Sequence, residues 1–247
     1  MSERSVSKFH RQMAARNAYA RRTPGWMDSV ALFRRTLHEL VPAGARLLDL
    51  GCGRLGLHGD DTACVEGSTV VGVDTDHDAL VHNSVLAARV AGAGEALPFA
   101  DSVFDVVASA WVLEHLEHPG LVFAEVQRVL RPGGRFVFLT PNAWNYNVWL
   151  IRAVPNRWHA RMTRSLYGRM PGDTYPVRYR ANTAKVLQRL LLAAGFDKAR
   201  FTFNGDPSYI AFNRPLFELG TVLERVMDAQ RLQRGRVHIL GVAQRSG

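Results

Sequence analysis

The stretch Arg46-Leu-Leu-Asp-Leu-Gly-Cys-Gly-Arg-Leu-Gly56 decides how this chain is read. Leu47 to Leu50 form an apolar run of strand length, and it feeds directly into glycines. Glycine at such a turn lets the backbone approach a ligand that any side chain would hold away. The Gly51-x-Gly53-x-x-Gly56 spacing alone fits any dinucleotide fold. Asp49 narrows the choice. A dinucleotide turn offers backbone N–H groups and a helix N-terminus to an anionic pyrophosphate, which a neighbouring carboxylate would repel. Asp49 therefore points to a ligand with a cationic end.

Working outward, Thr69-Val-Val-Gly-Val-Asp74 is a second apolar strand ending in an acid, 23 positions after Gly51. That is the offset at which a carboxylate at the end of a second strand grips ribose hydroxyls. Then come Gly94-Glu-Ala-Leu-Pro-Phe99, Phe104-Asp-Val-Val107, Val112-Leu-Glu-His115 and Leu130-Arg-Pro-Gly-Gly134. With these motifs in this order, the chain resembles the class I S-adenosylmethionine-dependent methyltransferases. Within them it looks like the bacterial small-molecule group that includes ubiquinone and menaquinone methyltransferases. The resemblance covers residues 40–142 closely and the remainder loosely.

The resemblance implies S-adenosylmethionine as cofactor and S-adenosylhomocysteine as product. Asp49 would hold the ammonium, Gly51, Cys52 and Gly53 would line the methionine and ribose, and Asp74 with Thr75 would take the ribose hydroxyls. Gly94, Glu95 and Ala96 would meet the adenine, and Ala110 and Trp111, just past the fourth strand, would approach the methyl group. One position departs from the family. Where members often carry an Asp before the Ala-Glu that contacts adenine, this chain has Ala93, so only backbone contacts carry over there.

Composition bounds the rest. The 247 residues, 47% hydrophobic, allow one α/β domain with elaborations or at most two small domains. No apolar run of 18 residues predicts a membrane span, and the first residues lack the apolar stretch of a signal peptide. Cys52 and Cys64 make no Cys-x-x-Cys pair and no disulfide framework. A cytoplasmic, reduced protein is expected. The net charge of +9 is almost all arginine; the lysines are Lys8, Lys185 and Lys198. Such an excess suits a solvated basic face or an acidic partner: nucleic acid, a membrane surface or an anionic substrate.

Strands are expected near 46–50, 69–73, 88–91, 104–109, 134–140, 199–204 and 236–243, with helices near 28–40, 77–87, 119–130, 183–194 and 215–230. The alternation predicts an α/β, Rossmann-like three-layer sandwich. Its seven-stranded sheet is mostly parallel; the antiparallel last strand follows from the resemblance. A single domain over 1–247 is expected: a basic arm or short helix at 1–25, a cofactor-binding core at 26–142, a lid at 143–182, and the C-terminal part of the core at 183–247. The lid stretch is rich in Trp, Tyr, Arg and Pro, and by resemblance it encodes acceptor identity.

Methyl transfer from a sulfonium asks the protein mainly for alignment and desolvation, with a general base for a hydroxyl acceptor. His115, Tyr146 and Tyr179 are the candidate catalytic groups, with His159 a second choice. Asn142, Arg178 and Arg180 are candidates to hold an acidic or phosphorylated acceptor. Glu114-His115-Leu-Glu117-His118 looks metal-like. Family members that bind a divalent ion use Glu-x-x-Glu-His, and Trp111 stands where the first acid belongs, so no metal is expected. The stretch after the fourth strand lacks the Asn/Asp-Pro-Pro-Tyr/Phe motif of enzymes that methylate exocyclic amines of DNA. A methyltransferase acting on a small molecule, most simply at oxygen, is the expected function. The alternatives are an RNA methyltransferase, supported only by charge and lacking any added RNA-binding module, or a non-enzymatic cofactor-binding scaffold. Lid and arm could equally serve a homodimer contact.

Overall fold

The apolar run after Arg46 forms β1 (Arg46–Leu50), and the alternation on either side of it builds a single sheet. The structure, a computed structural model, describes residues 3–57, 67–146, 148, 176–229 and 231–247. β1 lies between β2 (Thr69–Asp74) and β4 (Phe104–Ala110), parallel to both. β3 (Ala88–Ala91) extends the β2 side, and β5 (Leu130–Pro141) extends the β4 side, again in parallel. With β6 (Phe196–Asn204) and β7 (His238–Arg245) the order is β3-β2-β1-β4-β5-β7-β6, with the last strand antiparallel. Chain direction across the sheet reverses between β1 and β4. In open α/β sheets, ligands bind beyond the carboxyl ends of the strands at such a reversal.

Side chains alternate along β5, so its two faces bury different sets. Val137 and Leu139 pack with Leu47, Val106, Ala108 and Leu240 beneath Phe33 and Leu37 of α2 (Ser29–Leu40). Phe136 and Phe138 face the other way. Phe136 meets Phe123 of α4 (Pro119–Val129) and Phe196, and Phe138 lies 6.4 Å from Phe201 of β6. Each such buried Phe, Leu or Val is worth about 1.5–3 kcal/mol relative to exposure. Helices thus cover both faces of the sheet, which explains why its central strands are mostly apolar.

Several boundaries differ from the sequence expectation. The helix expected to reach residue 87 is α3 (His77–His82), capped by Asp76 and ended by Asn83. The Asn83 side chain accepts from Val85 and Leu86 N–H, which supplies the backbone's partners without a further helical turn. β5 starts at Leu130 rather than at 134. A register irregularity between Phe104 and Val106 absorbs Arg131-Pro-Gly-Gly134, and a Cβ on Gly134 would come within 3.0 Å of two backbone carbonyls. α5 (Ala184–Ala193) has the expected cap, with Thr183 Oγ1 accepting from Val186 N–H, and ends before Gly195 at φ 92°.

The described residues gather into two compact units. One draws on Val30–Pro141, Val177–Thr202 and Ile239–Gly247, and holds nearly all of the sheet. The other draws on Met1–Ser29, Asn142–Pro176 and Phe203–His238. In that second unit the basic N-terminal stretch is no short helix but α1 (Glu3–Arg22), 20 residues long. Ala15 and Tyr19, one turn apart, are its buried positions; Tyr19 meets Trp26 edge-on at 5.0 Å, and Arg16 pairs with Asp206 at 2.7 Å. α6 (Arg214–Val226), capped by Asn213, completes the unit. The lid calls from Trp149 to Tyr175, with His159 and the arginines 152, 157, 161, 164 and 169, lie outside the described residues, as does Cys64. No helix among the described residues is long and apolar enough to cross a membrane.

Candidate functional site

After Leu50 the chain turns through Gly51 and Gly53, at φ 77° and 50°. Gly51 and Cys52 N–H both donate to the Val73 carbonyl, at 2.8 and 3.2 Å, tying the turn to β2. A Cβ on Gly51 would sit 2.3 Å from Val112 Cγ2, whereas a Cβ on Gly53 would meet nothing within 4 Å among the described residues. Gly51 is thus required for packing, and Gly53 faces open space. Gly53 N–H donates to Asp74 Oδ2 at 2.8 Å, and its carbonyl accepts from Asn83 Nδ2 at 2.8 Å. Asp74 Oδ1 accepts from Asp76 N–H at 2.9 Å. The Asp74 carboxylate is therefore oriented by two backbone donors, and each oxygen keeps lone-pair capacity for a hydroxyl. Cys52 packs against Leu80 and Leu86, and burial pushes its thiol up to about 12, so it stays protonated and unreactive.

Asp49 is buried at the β1–β4 reversal, and its strand neighbours in register are Gly72 and Ala108. Its Oδ2 has no hydrogen-bond partner among the described residues. Burial, and then the nearby charge of Asp74, push its acid up to about 8. A buried carboxylate with an orphaned oxygen is costly unless a cation or donor completes it.

Beyond β3, Ala93 and Ala96 form an antiparallel bridge with Gly94 and Glu95 at its tip. Gly94 backs onto Val122 and Leu50, where an added Cβ would be 3.2 Å from the first and 3.6 Å from the second. Leu97 is buried and Phe99 meets Phe104 edge-on at 5.1 Å, so these two are packing residues. Thr75 is exposed, directly after Asp74. Ala110 ends β4, and Trp111 follows it in the left-handed region at φ 60°, held by its N–H to the Leu139 carbonyl at 2.9 Å. A bulky residue in that region is strained and must be over-determined by its surroundings.

The candidate catalytic and acceptor residues fare differently. His115 is partly exposed, with Nε2 4.0 Å from Glu114 Oε1. Tyr179 is 43% exposed at φ 53°. Arg178 reaches Glu117 Oε2 at 3.4 Å and Arg180 donates to the Glu117 carbonyl at 2.8 Å, so one loop residue gathers both arginines. Two candidates are tied up within the fold. Tyr146 is buried and its hydroxyl donates to Glu224 at 2.8 Å; burial and Glu224 hold the phenol well above its usual range, which removes it as a base. Asn142 is buried too. Both its amide hydrogens go to the Arg234 and Arg236 carbonyls at 2.8 Å, and its oxygen accepts from Trp144 N–H, so its donors are spent on the backbone around it. In the same unit Glu224, pushed up to about 7 by burial, faces Arg236 at 3.6 Å, and His238, buried between Ser29 and Tyr209, is pushed down to about 4.

Sequence reasoning missed Asn83, Val112, Thr140 and Asn182. Asn83 stood inside the stretch read as helix to residue 87; the others are ordinary residues that matter through long-range neighbours.

Residues 48–138 match the methyltransferase domain family. A protein of Mycolicibacterium smegmatis, named a probable S-adenosylmethionine-dependent methyltransferase, is 36% identical over 132 residues, 49% of this chain and 50% of that protein. Over this stretch the chain is similar to S-adenosylmethionine-dependent methyltransferases. A ubiquinone biosynthesis O-methyltransferase of Aromatoleum aromaticum is 31% identical to it over 146 residues, 51% of this chain and 61% of the other. The chain thus spans about half the length of curated relatives that it matches. In fold, the chain resembles phosphoethanolamine N-methyltransferase 2 of Haemonchus contortus, solved with S-adenosyl-L-methionine: TM-score 0.57 at 15% identity, over 88% of this chain and 53% of that one.

The residues present fit this cofactor. The orphaned Asp49 oxygen answers an ammonium, the open space at Gly53 admits a ligand against backbone, and Asp74 has acceptors left for a ribose.

Proposed function

We propose that the protein is an S-adenosylmethionine-dependent methyltransferase whose acceptor is a small molecule, methylated at oxygen. The carrying observation is Asp49, a buried carboxylate without its counter-charge beside a glycine turn. When bound, the cofactor supplies an activated methyl group on a cationic sulfur. The chain's own part is alignment: Asp49 and Asp74 anchor the two ends of a polar ligand, and the turn at Gly51–Gly53 keeps side chains out of its path. His115 is the base this reading selects, since it is partly exposed in the loop that follows β4. Support for oxygen comes from the O-methyltransferase relative and support for an acidic acceptor from Arg178 and Arg180.

Methyl-labelled S-adenosylmethionine added to the protein and an extract of its own cells tests this. Label in the small-molecule pool is expected, and nuclease-sensitive label in RNA would overturn the reading. With the extract as acceptor source, Arg178→Ala/Arg180→Ala should raise the extract concentration giving half-maximal rate about tenfold, the worth of one charge-assisted contact. Cofactor affinity should stay unchanged; equal effects on both, or none, would remove the arginines from acceptor binding.

A further inference from the structure

Glu114 lies in the loop after β4, is 2% exposed, and takes part in no step described so far. Its side chain and its backbone each bind a different segment. Asn182 Nδ2 donates to Thr140 Oγ1 at 2.6 Å and to the Pro141 carbonyl at 3.2 Å, and Thr140 Oγ1 lies 3.2 Å from Glu114 Oε2. A carbonyl can only accept, so Pro141 fixes the orientation of the Asn182 amide. The Thr140 hydroxyl, already accepting from Asn182, must then donate to Glu114. This is a buried, directed chain of the kind in which each bond strengthens the next. Meanwhile the Glu114 carbonyl accepts from Arg178 N–H at 2.7 Å and Tyr179 N–H at 3.1 Å, and Tyr179 holds the strained φ of 53°.

Resting on the methyltransferase reading above, we propose that Glu114 is a positioning residue: one buried carboxylate that clamps the loop after β4, the end of β5 and residues 178–182 together. It sets the backbone that carries His115 and the segment that carries Arg178, Tyr179 and Arg180. Its requirement is geometric. An acceptor oxygen must stand where Oε2 stands, and a formal charge there is dispensable.

The test compares Glu114→Ala, Thr140→Val and the conservative Glu114→Gln, whose amide oxygen can still accept from Thr140. Three readouts are taken: hydrogen exchange of the amides in 177–182, cofactor affinity by calorimetry, and label transfer to the cell extract. In Glu114→Ala and Thr140→Val, exchange in 177–182 should quicken about tenfold and transfer should fall about tenfold, the loss expected for one buried hydrogen bond. Cofactor affinity should hold within about threefold, because the turn at Gly51–Gly53 is anchored separately to Val73 and Asp74. Glu114→Gln should stay near wild type in all three. Unchanged exchange, a parallel loss of cofactor affinity, or a Gln variant as impaired as the Ala variant would each overturn the clamp. If exchange responds as expected but the wild type transfers no label, the clamp stands as structure and the methyltransferase reading fails.

Discussion

Asp49→Asn should weaken S-adenosylmethionine binding about 100-fold, the loss expected when one partner of a buried charge pair is removed. It should also raise the melting temperature of the ligand-free protein near pH 8. Asp49 is the site's orphaned buried acid, with its ionisation pushed up to about 8. Its folded value is raised above the unfolded one, so between about pH 4 and 8 the native state binds the extra proton and stability falls as pH rises. Each unit of that shift corresponds to about 1.4 kcal/mol. Asn is uncharged and removes this fall, so the variant's advantage should grow with pH and level off above about 8. The cofactor reverses the balance: its ammonium favours the ionised acid, so binding near pH 7 should release close to one proton. Calorimetry at pH 7 in buffers of different ionisation enthalpy counts it. Proton release from the wild type that vanishes in Asp49→Asn is expected; no release from the wild type would remove Asp49 from the ammonium.

The second large effect is at the glycines. Gly51→Ala should cost about 2–5 kcal/mol of stability, from a left-handed alanine (~1–2 kcal/mol) and overpacking (~1–3 kcal/mol). It should also abolish measurable cofactor binding. The added methyl would lie 2.3 Å from Val112 Cγ2, and Val112 is held in a loop fixed by Trp111 N–H to Leu139 and His115 N–H to Val112. Val112→Ala introduced into Gly51→Ala should recover stability beyond additivity, because the two sites share the clash. Gly53→Ala is the contrast. Nothing stands within 4 Å of its Cβ, so it should lose only the backbone term of about 1 kcal/mol while still losing cofactor affinity. Chemical denaturation and calorimetry on both variants check this. If Gly53→Ala bound cofactor like wild type, the space beside Gly53 would not be the ligand's.

Local chemistry carried the alternating half of the chain. The apolar runs at 46–50, 69–74 and 104–110, the glycines between strand and turn, and the acids at 49 and 74 each state their roles within a few residues of themselves. Periodicity and spacing therefore determined the parallel strands and the pattern of glycines and acids, while the antiparallel last strand and the adenine-side and methyl-side candidates came from the resemblance. Polar side chains with distant partners lay beyond that reach. Tyr146 and Asn142 read as active groups because aromatic and amide side chains after a strand so often are. Folding instead spends the first on Glu224, 78 positions away, and the second on carbonyls more than 90 positions away. Glu114 read as half of a metal-like cluster, yet its partners are Thr140, and through it Asn182. A hydrogen-bonding side chain is satisfied by whatever the fold brings within about 3 Å, and nothing in the linear order names that partner. So the sequence by itself determined the strands, the turn and the two acids that stand beside it. Only the tertiary structure decided which polar residues are free to act and which are already consumed in holding the loops.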